Sequence, residues 1–164
     1  MTGLNPRQLL YAVVRPTLEH LNLWDDDVEA LILGTGLTET GLAALDQGDP
    51  KVPGPAYGLY QMEQATHDDI WQNFLAYRKT LATAVKTLAA PWPSGVAACA
   101  GNLYYATAMC RIRYLRVPEP LPSRTDLTAM AQYWKKWYNT DKGAGSPEDF
   151  ITRASIINDP SAWS

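Results

Sequence analysis

Apolar residues recur at helical spacing along most of the chain. Leu9, Leu10, Val13, Val14, Leu18 and Leu21 form the first series, with Asn5 as cap, Pro6 at the first helical position and Pro16 as an expected kink or break. A second helix is predicted to start among Asp25, Asp26 and Asp27, whose charges suit the positive end of the helix dipole. It carries Val28, Leu31, Ile32 and Leu33, and is expected to fray through Gly34 to Gly36. Between 41 and 64 the periodicity stops, because Gly48, Pro50, Pro53, Gly54, Pro55 and Gly58 favour turns and a short hairpin. Helical signals return at Thr66, read as a cap in a box with Asp69, and Ile70, Trp71, Phe74 and Leu75 follow. A helix over about 80–89 stops at Pro91-Trp92-Pro93-Ser94-Gly95, and one long apolar helix is predicted over about 96–115. After a stiff connection at 118–122, a helix over about 126–138 carries Met130, Tyr133, Trp134 and Trp137 on one face, a stripe that reads as core. Ser146 and Pro147 open a last helix. The pattern predicts a mainly α fold of about seven helices in a single domain over 1–164, with one irregular or β-hairpin segment at about 41–64.

Composition narrows what such a domain does. With 164 residues, 46% of them apolar, and with six Trp and nine Tyr, the chain has material for a substantial core. A net charge of −3 weighs against general nucleic-acid binding, which needs Lys and Arg concentrated on one face. The short charge runs (Asp25 to Asp27; Arg111, Arg113 and Arg116; Lys135 and Lys136) read as solvated helix faces or ends. No apolar run approaches the ~20 residues of a membrane span, so no membrane insertion is expected. The first fifteen residues lack the order of a secretory signal, so no signal-directed export is expected either. Cys99 and Cys110 lie eleven positions apart in one predicted helix. That spacing puts them ~16 Å apart along its axis, beyond disulfide reach, and two buried free thiols are expected. His20 and His67 are isolated and no Cys/His spacing suits zinc, so neither a metal nor a cofactor is called for.

The irregular segment is the informative one. Leu31-Ile32-Leu33 leads through glycines to Glu39-Thr40-Gly41, and Gly58-Leu59-Tyr60-Gln61-Met62 follows after a loop. The stretch from Gly58 through Ala65-Thr66 resembles the lytic transglycosylase signature, Gly-Leu-Met-Gln followed by Ala-Thr opening a helix. In that family a helix ends at a Glu followed by Ser or a similar small residue. A loop of comparable length then leads to the signature, as Glu39 leads to Gly58 here. The chain thus resembles soluble lytic transglycosylases and goose-type lysozymes in order, spacing and flanking helices over about 28–70, and more loosely elsewhere. Asn102-Leu103-Tyr104-Tyr105 is similar to the opening of the family's later Asn-containing helix. Tyr138-Asn139 with Gly143 is similar to its Tyr-Asn-x-Gly segment, with Thr140, Asp141 and Lys142 interposed.

The resemblance implies a lysozyme-like fold and cleavage of the bond between N-acetylmuramic acid and N-acetylglucosamine in peptidoglycan. One Glu would protonate the leaving oxygen, then act as base while the C6 hydroxyl attacks to give a 1,6-anhydro product. Glu39 takes that position. Elementary electrostatics agrees, since a helix's carboxyl end disfavours an anion and Leu37, Leu42 and Leu45 are expected to desolvate it. Gly58, Tyr60, Gln61, Met62, Tyr104 and Tyr138 are the candidates for glycan binding. Gly58 permits close backbone approach, Tyr60 offers a ring face, and Gln61 can bind hydroxyl or acetamido groups. The competing reading packs Tyr60 and Met62 inward and gives Tyr104, Tyr105 and Tyr138 to the core; Glu63 reads as solvated. A hydrolytic lysozyme would instead activate water with a second carboxylate, for which Asp46, Asp49 and Glu63 are available. A non-catalytic peptidoglycan-binding or virion structural protein that keeps the fold is the remaining alternative. The expected partner is the peptidoglycan glycan strand. Without a visible export signal, a wall-cutting domain suits a bacteriophage, as an endolysin released through a membrane pore or as a component among other virion proteins.

Overall fold

Helix starts fall where a side chain can satisfy the first free amides. In the computed structural model, which describes residues 3–159 and 161, Asn5 accepts from the Gln8 amide (3.0 Å) and Pro6 takes the first helical position. This helix covers 6–20 in three segments: Pro6–Leu9, a wider π turn over Leu10–Val14, and Arg15–His20. Pro16, the expected kink or break, lies just past the point where the regular α ladder is interrupted by the π turn. Lacking an N–H for the Ala12 carbonyl, Pro16 forces the ladder to widen, and the Arg15 amide reaches back to Leu10. The Tyr104 hydroxyl donates to the Ala12 oxygen (3.4 Å).

Asp25 caps the next helix, Asp26–Thr40, through the Asp27 amide (2.8 Å). Ten of its fifteen residues are buried, so it is the central element, packed by Pro147–Arg153, the first helix and the helices Leu103–Leu115 and Leu127–Trp134. The expected fraying at Gly34 and Gly36 does not occur. These glycines set packing distance: a Cβ on Gly34 would lie 2.7 Å from Phe150 Cζ, and one on Gly36 2.9 Å from Leu42 Cδ2. Hydroxyls inside the helix are satisfied locally, Thr35 by Leu31 O (2.8 Å) and Thr38 by Gly34 O (2.7 Å). Fully buried Glu29 receives both arms of the Arg15 fork (2.8 and 2.5 Å) and the Trp24 indole N–H (2.8 Å), which ties the first two helices together.

Gly41, in the left-handed region (φ 59°), ends the helix. After a loop, strands β1 (Ala56–Tyr57) and β2 (Met62–Glu63) pair antiparallel in the register Ala56↔Glu63 and Tyr57↔Met62. The following helix is Gln64–Asn73 and begins before Thr66. No box forms at Thr66, because the extended Glu63 of β2 delivers the chain straight into the helix. After Lys79–Leu88, the single helix predicted over 96–115 is instead two, Ala98–Gly101 and Leu103–Leu115. Asn102 makes the break: its side chain accepts from the Tyr105 amide (3.0 Å) and donates to Leu88 O (2.8 Å), outcompeting helical continuation. Leu127–Trp134 is capped by Asp126 and runs on as a π turn, Lys135–Asn139. Pro147–Arg153 starts with the capping box of Ser146 and Asp149.

The molecule is therefore mainly α with one short hairpin, around a continuous apolar core to which every major helix contributes. Among the described residues no helix is long and apolar enough to cross a membrane. Both cysteines are free and buried despite the break at Asn102. Burial pushes both thiols up, that of Cys99 to about 12. A thiol reagent near neutral pH should thus leave native protein unlabelled and modify both cysteines once it is unfolded without reductant. Labelling of the native state would contradict this packing.

The histidines are structural. His20 Nε2 sits 2.7 Å from Thr87 Oγ1, and buried His67 bridges Asp68 (2.9 Å) and the Tyr105 hydroxyl (2.7 Å), which also accepts from Trp71 (2.9 Å). Asp25 is a cap and Asp27 accepts the Arg124 amide (2.7 Å). The Arg111, Arg113 and Arg116 series is not one solvated face. Arg111 is buried, Arg113 is half-buried, and Arg116 pairs with Asp69 at 2.5 Å.

Candidate functional site

The last turn of Asp26–Thr40, the hairpin and the 139–145 loop enclose a cleft of about 660 Å³. Glu39, Gln61 and Tyr138 all line it, together with Glu63, Arg113, Trp134, Asn139, Lys142, Asp149 and Arg153. Of the residues singled out from sequence, these first three are brought together. The other four are not in the cleft.

The hairpin explains why. Gly58-Leu59-Tyr60-Gln61 is itself the turn between β1 and β2, closed by the Gln61 amide on Gly58 O (3.0 Å). Gly58 has φ 80°, and a Cβ there would run into the Cys99 carbonyl oxygen. Its close approach is to protein backbone. Leu59 and Tyr60, at the tip, point into the core and are 1% exposed each. The Tyr60 hydroxyl pairs with Thr107 Oγ1 (3.0 Å), so Tyr60 is no platform for a ring, and Met62 is equally buried. Tyr104 lies against the first helix through its bond to Ala12. The turn is fixed from three sides: Thr40 Oγ1 donates to Leu59 O (2.8 Å), the Tyr138 hydroxyl donates to Tyr60 O (2.6 Å), and Cys99 backs Gly58. Gln61, held with φ 50°, spends one side-chain N–H on Gly58 O (3.0 Å) and keeps its amide oxygen for the cleft.

Glu39 sits one residue before the helix's last and accepts from the Trp134 indole N–H at 3.0 Å. Its carboxyl is raised above the ordinary glutamate value by burial, opposed by the Trp134 bond and by the charges of Arg113 and Arg153. The leucines expected to supply that burial do not line the cleft. Leu42 packs beside Gly36 and Tyr60, and Leu45 is half exposed. Trp134, stacked at a tilt on Phe150 (5.7 Å), brings its indole against the carboxyl.

The opposite wall is the segment after Trp134. Lys135 Nζ bonds both Asn139 Oδ1 (2.8 Å) and Gly143 O (3.0 Å), closing the loop so that Asn139 and Gly143 touch despite the three residues between them. Gly145 lies where a Cβ would come 2.7 Å from Trp134 Cη2. Two arginines complete the site. Arg113 stacks over the Tyr138 ring (4.0 Å) and donates to the Tyr138 carbonyl. Arg153 donates to the Thr38 carbonyl (2.9 Å), one of the free carbonyls at the helix end. Of the carboxylates available for a second catalytic role, Asp46 is taken by the Gly54 amide (2.8 Å) and Asp49 by the Lys51 amide (2.9 Å), whereas Glu63 lines the cleft.

Trp134, Arg113 and Arg153 were not assigned to the site from sequence. A buried indole N–H must find an acceptor, which is the one signal that Trp134 carried. Arg113 reads as part of a charged face, and Arg153, in a last helical turn, as a complement to the dipole.

Trp134→Phe gives a directional test. The indole bond favours the Glu39 anion, so its loss raises the carboxyl further. Any activity that needs protonated Glu39 should then persist to higher pH, and its alkaline limb should move up, not down.

Comparison with protein-family models, curated proteins and solved structures finds no significant match to this chain.

Proposed function

We propose that this protein cleaves the glycosidic bond between N-acetylmuramic acid and N-acetylglucosamine in peptidoglycan, on a lysozyme-like fold, by the lytic transglycosylase route. The observation that carries the reading is a carboxyl, Glu39, held at a helix end in a cleft wall shared with Gln61 and biased by burial toward its protonated form. That is the state a general acid needs.

In this reading Glu39 gives its proton to the glycosidic oxygen as the C1–O bond breaks. The resulting Glu39 carboxylate, steadied by Trp134, Arg113 and Arg153, then takes the proton of the C6 hydroxyl while O6 bonds to C1. The proton returns to Glu39, no water is consumed, and the product carries a 1,6-anhydro ring. Gln61 and Asn139 are the polar groups available to orient hydroxyl and acetamido substituents. The hydrolytic alternative rests on Glu63, the carboxylate of the three candidates that lines the cleft.

Purified cell walls incubated with the protein should release soluble glycan fragments. Binding to walls without release would favour the non-catalytic reading. The phage setting, endolysin or virion component, is part of the same proposal.

A further inference from the structure

We propose that Arg113 and Arg153 form an anion site beside Glu39 that selects glycans bearing a carboxylate over neutral ones. The inference rests on the reading that glycan strands occupy this cleft. Both arginines line it, and both act electrostatically on Glu39. Neither has a carboxylate within ion-pair distance among the described residues. Each is nevertheless fixed: Arg113 by the Tyr138 carbonyl and ring, Arg153 by the Thr38 carbonyl. A guanidinium carries five N–H donors, so each arginine is anchored by one edge with others to spare. Orientation in advance lowers the cost of binding a ligand there.

The anions of the cleft act on these charges without forming an ion pair with them, Asp149 being the one that feels Arg153. Asp149 Oδ2 is occupied by the Ser146 amide (2.7 Å) and hydroxyl (3.1 Å). Glu63 is exposed. Glu39 is uncharged when it acts as acid. A protein of net charge −3 therefore presents two unpaired cations where the substrate would lie, with Lys142 nearby on the loop. The matching chemistry is a carboxylate. Peptidoglycan offers it in two places, on the lactyl group of muramic acid without its stem peptide, or on the stem peptide itself. Chitooligosaccharides offer none.

The test is calorimetric binding to Glu39→Gln protein, which cannot consume its ligand by proton donation. Three soluble tetrasaccharides serve as probes: chitotetraose, a muramic-acid glycan with bare lactyl carboxylates, and the same glycan with stem peptides. One or both acidic glycans should bind at least about tenfold tighter than chitotetraose, as expected for one charge-assisted contact. Whichever is preferred identifies the carboxylate's source. Adding Arg153→Gln or Arg113→Gln should lower the affinity for the preferred acidic glycan by more than that for chitotetraose and so remove the preference, while Arg153→Lys should retain part of it. Equal affinity for all three glycans overturns the site, as does an equal loss for all three in the arginine variants. Selective, arginine-dependent binding without cleavage by wild type would overturn the catalytic reading and leave the anion site standing. Cleavage without selectivity would do the reverse.

Discussion

Glu39→Gln should lose wall cleavage while melting no lower than wild type near neutral pH. The loss follows from chemistry: an amide has no proton to give the departing oxygen, and general acid–base catalysis contributes roughly 10²–10⁴-fold. The fold should survive because Gln is nearly isosteric and its carbonyl can still accept from Trp134. Stability has a definite sign. Burial raises the folded-state value of Glu39 above its ordinary 4.5. Below 4.5 the carboxyl is protonated in both folded and unfolded chains, and its full contribution to stability is present. As pH rises the unfolded chain ionises first, so that contribution falls until the raised folded value is passed. Gln cannot ionise. The variant should therefore gain on wild type as pH climbs above 4.5, and the gap should close on acidification. Thermal melts across pH check this. A variant that melts well below wild type at neutral pH would mean that Glu39 is a structural anion. Glu63→Gln, at an exposed position, should cost much less activity.

Gly58→Ala should be the most damaging small substitution in the hairpin. The residue sits at φ 80°, where an L side chain costs about 1–2 kcal/mol. Its new methyl would also run into the Cys99 backbone oxygen, which cannot swing aside as a side chain can. Overpacking of this kind adds about 1–3 kcal/mol. Relief requires the turn to move, and with it the Tyr60 carbonyl held by Tyr138 and the Gln61 side chain at the cleft. Chemical denaturation should show a loss of roughly 2–5 kcal/mol, with activity falling further than stability alone explains. A near-neutral effect would show that the turn is not locked against Cys99.

What could be read from the sequence divides along physical lines. Helix starts were legible where a side chain supplies the missing bond, as at Asn5, Asp25 and Ser146. Interruptions were not, because they depend on contacts between distant segments. Gly34 and Gly36 look like breakers until Phe150 and Leu42 are seen against them. Asn102 looks helical until Leu88 O claims its amide. In the cleft, the positions of Glu39 and Gln61 were legible through order and spacing, whereas Tyr138 lines it as a buried residue whose hydroxyl is spent on Tyr60 O. Tyr60 and Met62 were misplaced since alternation within so short a turn cannot tell which side faces the core. Tyr104 was lost to the first helix, where Pro16 has no N–H to offer Ala12 O and the Tyr104 hydroxyl donates to it, a contact visible only with both helices in place. Trp134 was assigned to the core, and it is core, but its N–H is what ties that core to the cleft carboxyl.

The ends of the released fragments report directly how the glycan strand is opened. Purified walls digested by wild-type protein in water enriched in oxygen-18 should yield soluble fragments ending in 1,6-anhydro-muramic acid, with no heavy oxygen incorporated, and Glu39→Gln should yield none. Reducing ends carrying the label would contradict the transglycosylase route and shift the second role to Glu63. Fragments released equally by Glu39→Gln would contradict the assignment of the acid itself.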